Sequence, residues 1–236
     1  MPNSAPEARD ATPAKRGFFA AFLPTDTDNG ALFNSAPKPL ATARVANGDV
    51  VIAGPSGYCV DPETLDDRGR QGFAVIASCR ILSNGAVGPV VTPVVVTASI
   101  GPTGKEPDLP SAEALAASLE VPLLQALDAE GAVLAHLGGG GSEVIDNGDT
   151  RHWRAAMHVN DHLVGLALYA PSGSALAGPD GARFLADTVG MIRANSPKQA
   201  PATGPISGAA PESPGQQGLL PGLGVFGRLF SGRSSQ

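Results

Sequence analysis

Cys59 in "GPSGYCVDPETL" and Cys79 in "VIASCRIL" are the only two cysteines of this 236-residue chain. A thiol can serve as a nucleophile, a metal ligand or half of a disulfide. A nucleophilic thiol needs a neighbouring base or a helix N-terminus to lower its pKa. Cys59 follows Gly57 and Tyr58 at an expected strand end, with no basic residue within five positions. Cys79 falls in an apolar run that reads as mid-strand, the setting of a buried, inert thiol. If the strands that carry them are adjacent, the two sulfurs reach one another. This favours a disulfide over two reduced structural thiols, and either over a reactive or metal-binding pair.

The four histidines raise the question of a metal. His158 and His162 stand four apart, which is ligand spacing on a helix. The surrounding "RHWRAAMHVNDHLVGLALYA" (151–170) instead reads as a hairpin turning at Asn160-Asp161. That register pairs Val159 with His162 and Met157 with Val164. His162 then shares a face with Trp153, Ala155, Met157 and Val159, while His158 points to the other face. His152 shares the His158 face but lies about 20 Å along the strand. The pattern predicts no metal site and no cofactor.

Other motifs fail on spacing. "HLGGGGSEV" has no Lys-Ser/Thr to reach a phosphate and no Gly pattern opening a helix, so it reads as a flexible turn leading into a strand. Asp61, Glu63, Asp66 and Asp67 lack the alternating oxygens and central glycine of a calcium loop. They read as a helix cap and a solvated face. "GPSG" and "PSGSALAG" miss the spacing of a serine nucleophile elbow. Trp153 and Tyr169 read as core or rim. No catalytic residue is assigned.

The elements that must position these residues lie between 48 and 195. "GDVVIAGP" (48–55), "GFAVIASCRIL" (72–82), "VVTPVVVTASI" (90–100) and "AVLAHL" (132–137) read as strands. Pro93 points to an edge or a bulge. "DPETLDD" predicts one helical turn at Asp61-Pro62, "SAEALAASLE" (111–120) a helix capped by Ser111, and "LLQALDA" after Pro122 a second short helix. "GARFLADTVGMIRAN" (181–195) is the clearest helix, with Phe184, Leu185, Thr188, Val189 and Ile192 on one face. Strands joined by short links predict an α+β fold: a single antiparallel sheet with helices packed on it. The hairpin is expected at its centre.

Composition divides the chain into three. Residues 1–47 read as a flexible N-terminal arm and 48–195 as one core domain. Residues 196–236, with six Pro and eight Gly, read as a Pro/Gly-rich tail. Lys+Arg against Asp+Glu is 8 against 17 in the core, a net −9 that argues against nucleic-acid binding. No apolar run is long enough for a transmembrane helix. The run in "KRGFFAAFLP" is too short for a signal peptide, which makes a cytoplasmic or membrane-peripheral location the default. A real disulfide would point to the periplasm or cell envelope instead.

The stretch "HWRAAMHVNDHLVGLALYAP" running into the final helix resembles the closing hairpin and helix of Mog1/PsbP-like α+β domains. "GDVVIAGPSGYCVDP" is similar to their first strand. "GYCVDP" and "ASCRIL" also resemble segments of a group of bacterial proteins of uncharacterised function. The resemblance implies a non-catalytic accessory or binding module.

Six of the eight phenylalanines lie outside the core, in segments where a spacer should be poor in aromatics. Phe18, Phe19, Phe22 and Leu23 (in 15–24) form one apolar stripe at helical spacing. Val225, Phe226, Leu229 and Phe230 (in 219–233) form another. Lys15, Arg16, Arg228 and Arg233 flank them. Such stripes suit a protein partner, an anionic membrane surface, or the chain's own core. The expected function is thus an accessory protein whose arms recruit a partner or membrane. The alternative is an enzyme, possibly a hydrolase, with a dispersed active site.

Overall fold

A computed structural model describes residues 38–104 and 108–198. The segments 15–24 and 219–233, with all eight stripe residues, lie outside the described residues.

The central hairpin is formed by β9 (His152–Val159) and β10 (His162–Tyr169). Its two-residue turn, Asn160-Asp161, has φ of 48° and 61°, the paired left-handed conformation that matches the twist of a tight hairpin. The register is the expected one, with Val159 opposite His162 and Met157 opposite Val164. Alternation along both strands therefore sends Trp153, Ala155, Met157, Leu166 and Leu168 to one face and His152, Arg154, Ala167 and Tyr169 to the other.

Around the hairpin stand β3 (Tyr58–Val60), β5 (Gly72–Ser78), β6 (Val95–Ile100), β7 (Leu123–Ala129) and β8 (Ala132–Leu137). The order across the sheet is β3-β5-β6-β10-β9-β8-β7, with the short β4 (Asp66–Asp67) pairing β5 to complete eight strands. Every pairing is antiparallel. The hairpin lies at the centre, as expected.

The expectation of a single sheet is corrected. β1 (Thr42–Val45) and β2 (Val50–Ala53) form a separate two-stranded sheet. It packs with α3 (Asp180–Asn195) on the Trp153 face of the large sheet. β1 lies ahead of residue 48, within the stretch read as the N-terminal arm. Only Ala43 and Val45 of its four residues turn inward, too short an alternation to stand out. The result is a sheet-dominated α+β fold.

α3 lays Leu185, Thr188, Val189 and Ile192 into this core, with Phe184 edge-on to Tyr58. Gly181 lets the helix start against the indole, since a Cβ there would meet Trp153 Cδ1 at 2.6 Å. The helix ends on Ser196, whose hydroxyl donates to Ile192 O and accepts from Val51 N–H. This satisfies a terminal carbonyl of the helix and a backbone donor of β2 together. On the opposite face, α2 (Ala112–Ala117) packs Leu115 onto Ala135, Leu137 and Ala156. Ser111 caps it by accepting from Ala114 N–H.

Five local expectations fail. "LLQALDA" is strand β7, not a helix. Its Leu, Gln and Ala favour helix, but Glu130-Gly131, with φ of 53° and 68°, folds it back onto β8, and tertiary pairing overrides weak propensity. "DPETLDD" forms turns and the short β4 because Asp61 accepts from Glu63 N–H while Asp67 accepts from Ala46 and Gly69 N–H. Those carboxylates serve turns, where Asp is as suited as at a helix start. Finally, the strand from 72 stops at Ser78, and α1 (Cys79–Leu82) begins at the cysteine, with Ser78 as its cap. Likewise Ser142 and Glu143 sit in a short 3-10 turn rather than leading into a strand, and β6 begins beyond Pro93.

Candidate functional site

Cys59 on β3 and Cys79 at the start of α1 form a disulfide, their Cα atoms 4.9 Å apart. Cys79 is thus not mid-strand. Cys59 lies opposite Ala77, and the turn into α1 two residues later brings the second sulfur back towards it. The bond closes a loop with a sequence separation of 20, worth roughly 3 kcal/mol in the chain-entropy model. We expect one disulfide and no free thiol when protein from its native compartment is alkylated and weighed without reductant. The reduced protein should show a lower urea midpoint. Two alkylated cysteines would instead assign the protein to a reducing compartment.

The hairpin distributes its histidines as its register requires, with His162 on the Trp153 face and His152 and His158 on the other. His136 on β8 stacks on Trp153, ring centroids 4.4 Å apart and nearly parallel. Its Nε2–H donates to Ala177 O at 2.9 Å, and the indole Nε1–H donates to Gly178 O at 2.8 Å. Both rings are thereby bound to the turn that precedes α3. His162 is fully buried; its Nδ1–H donates to Gly101 O at 2.7 Å, and Nε2 lies 3.4 Å from Asp49 Oδ2. Asn160 Nδ2 donates to Asp49 O and Pro197 O. These bonds tie the hairpin turn to β2 and to the end of α3. Trp153 is accordingly core.

His152 belongs to a different group, on the sheet face away from α3. Arg154 Nε donates to His152 Nε2 at 3.3 Å, and its Nη2 donates to Tyr169 Oη at 3.3 Å. The His152 and Tyr169 rings stack 5.3 Å apart. All three residues are buried. Burial, then the Arg154 charge, lowers the His152 pKa to about 3. Burial also lowers the Arg154 pKa and raises that of Tyr169. An arginine cannot accept a hydrogen bond, so His152 Nε2 carries its lone pair and the ring is neutral. Shifted groups gathered this way mark a functional-site candidate. Here a neutral imidazole, a phenol and a guanidinium bind one another below the surface. Sequence reasoning missed the cluster. Its one signal was a charged Arg154 within the mostly apolar strand β9.

The glycine run is tied back to the chain that follows it. Gly141 N–H donates to Thr150 O, and the next turn is held by Asp149 and Arg151 in a two-bond fork of 3.0 and 2.9 Å. That fork holds the Asp149 carboxyl well below the usual carboxylate range. Asp66 pairs with Arg68 at 2.7 Å on the surface. Among the described residues, no three His, Cys, Asp or Glu side chains gather where they could hold a metal ion. No helix among them is long and apolar enough to cross a membrane.

No family model, curated protein or solved structure matches this chain.

Proposed function

We propose that this chain is an accessory or binding protein of the Mog1/PsbP-like kind, whose two apolar arms recruit a protein partner or an anionic membrane surface. The observation that supports this reading is how the core uses its polar side chains. His136, His152, His162, Arg154 and Trp153 are buried and hydrogen-bonded within the fold. They hold strands, turns and α3 in place. To the stripes of 15–24 and 219–233 we assign the contact with a partner or membrane.

The energetics give the arms a shared task. Burying four large apolar side chains contributes about 6–12 kcal/mol, while ordering some eight backbone residues costs about 8–16 kcal/mol. One arm alone therefore binds weakly. Two arms on one domain raise the effective concentration of the second to roughly millimolar. Each basic flanking residue adds about 1 kcal/mol at an anionic membrane.

Deleting either 15–24 or 219–233 is expected to abolish most recovery of the protein with anionic liposomes in flotation, or with partners in pull-down, while leaving the core folded. Equal recovery of full-length protein and both deletions would exclude recruitment by the arms. A lowered urea midpoint in either deletion would place that stripe on the chain's own core.

A further inference from the structure

The two edges of the large sheet are finished differently. At one end β3 is only three residues long, and Leu40 covers it: Leu40 N–H donates to Val60 O at 3.0 Å and Val60 N–H to Leu40 O at 2.7 Å. At the other end β7 runs for seven residues and, among the described residues, pairs only with β8. Residues 124–128 are exposed on both faces of that strand, including Leu124 at 51% and Leu127 at 37%. Natural edges are normally short, covered, or broken by lysine, proline or a bulge. β7 has a bulge only at its start, between Leu123 and Gln125, and runs regularly from Gln125 to Ala129. Asp128 is its one charge.

We propose that β7 is a self-association edge, and that its partner is β7 of a second copy of this chain, paired antiparallel about Ala126. In a hairpin closed by two residues, the flanking Ala129 and Ala132 form the hydrogen-bonded pair. Leu127 and Gln125 then also turn their backbone groups towards β8. Ala126 and Asp128 turn theirs to the free edge. A two-fold axis at Ala126 aligns these outward groups: Ala126 meets its own copy, and Asp128 meets Leu124. No like charges face each other, whereas an axis at Asp128 would oppose two carboxylates. An extended foreign peptide added here would find backbone bonds but no side-chain groove for selectivity, because both faces of β7 are open. A second copy brings its own sheet and sets Leu127 opposite Gln125 and diagonal to the Leu127 of its partner, close enough for the two leucines to cover each other. This edge is separate from the arms, and dimerisation would double the number of arms on one assembly.

The test is the oligomeric state of the full-length protein by light scattering and sedimentation over a concentration series. Wild type should approach twice the 23.7 kDa chain mass. Leu127→Lys, an edge charge, and Ala126→Pro, which removes an outward N–H, should both shift it to monomer. Ala126→Cys should cross-link to a covalent dimer on oxidation, since facing Cα atoms of such a pair lie about 5.5 Å apart. Asp187→Cys, exposed on α3, should not. Should Ala126→Pro fail to fold by circular dichroism, the lysine and cysteine variants decide. A wild-type monomer at every concentration overturns the proposal. So does a dimer that survives Leu127→Lys, or equal cross-linking at positions 126 and 187.

Discussion

Leu166→Ala is expected to destabilise the protein by about 2–5 kcal/mol, and Ile192→Ala by a similar amount. Both side chains are fully buried in the same core. Leu166 sits on the middle strand of the large sheet, opposite Ala155 on one neighbour and Ala98 on the other. Alanines on both sides leave Leu166 to fill the space above them, so truncation opens a cavity that its neighbours are too small to close. Ile192 fills the corresponding position on α3, one turn before Ser196 closes the helix onto β2. The backbone around each site is fixed by sheet pairing or by the helix, which limits collapse into the void. Urea midpoints measure the effect directly. Midpoints unchanged from wild type in both variants would contradict the packing of α3 across the hairpin. The two changes fall in one packed cluster, so the double variant need not lose the sum of the two.

Acid should weaken the fold steeply through His152. In the unfolded chain its imidazole takes up a proton near pH 6.5; in the folded protein it does so at about 3. Between those values the unfolded state binds more protons, so stability is full above about pH 6.5 and falls with pH by up to about 1.4 kcal/mol per unit. The cause is burial beside Arg154: a second cation there would be desolvated, and Nε2 would lose its role as acceptor for Arg154. His136 is also depressed, chiefly by burial, and adds a contribution of the same sign. Asp149, held low by Arg151, acts in the same direction only below about pH 4, where unfolded aspartate begins to protonate. Unfolding free energies at pH 7, 6, 5 and 4 should therefore fall, and His152→Gln should flatten the decline above pH 4. The glutamine keeps a polar group near Arg154 but has nothing to protonate. Parallel pH profiles for variant and wild type would remove His152 as the source.

Much of this fold is legible in local pattern. The 151–170 hairpin carries two apolar runs separated by an Asn-Asp turn. The turn sets its register, and the register sets which face each histidine takes, because a strand's side-chain period is two. The final helix shows its apolar stripe, and Ser111 its capping role, for similarly local reasons. The cysteines are legible only as a preference, since pairing depends on two segments meeting.

Tertiary structure decided the remainder. "LLQALDA" has helix-favouring residues, and only its partner β8 and the Glu130-Gly131 turn make it a strand. β1 alternates over too few residues to be seen before β2 is beside it. Cys79 begins a helix because Ser78 caps one, while the apolar run alone continues as strand. The His152–Arg154–Tyr169 cluster joins two positions on one strand to a third on its neighbour. Each residue is unremarkable where it stands in the chain, and the shared burial that shifts all three exists only once the sheet has formed and its outer face is covered.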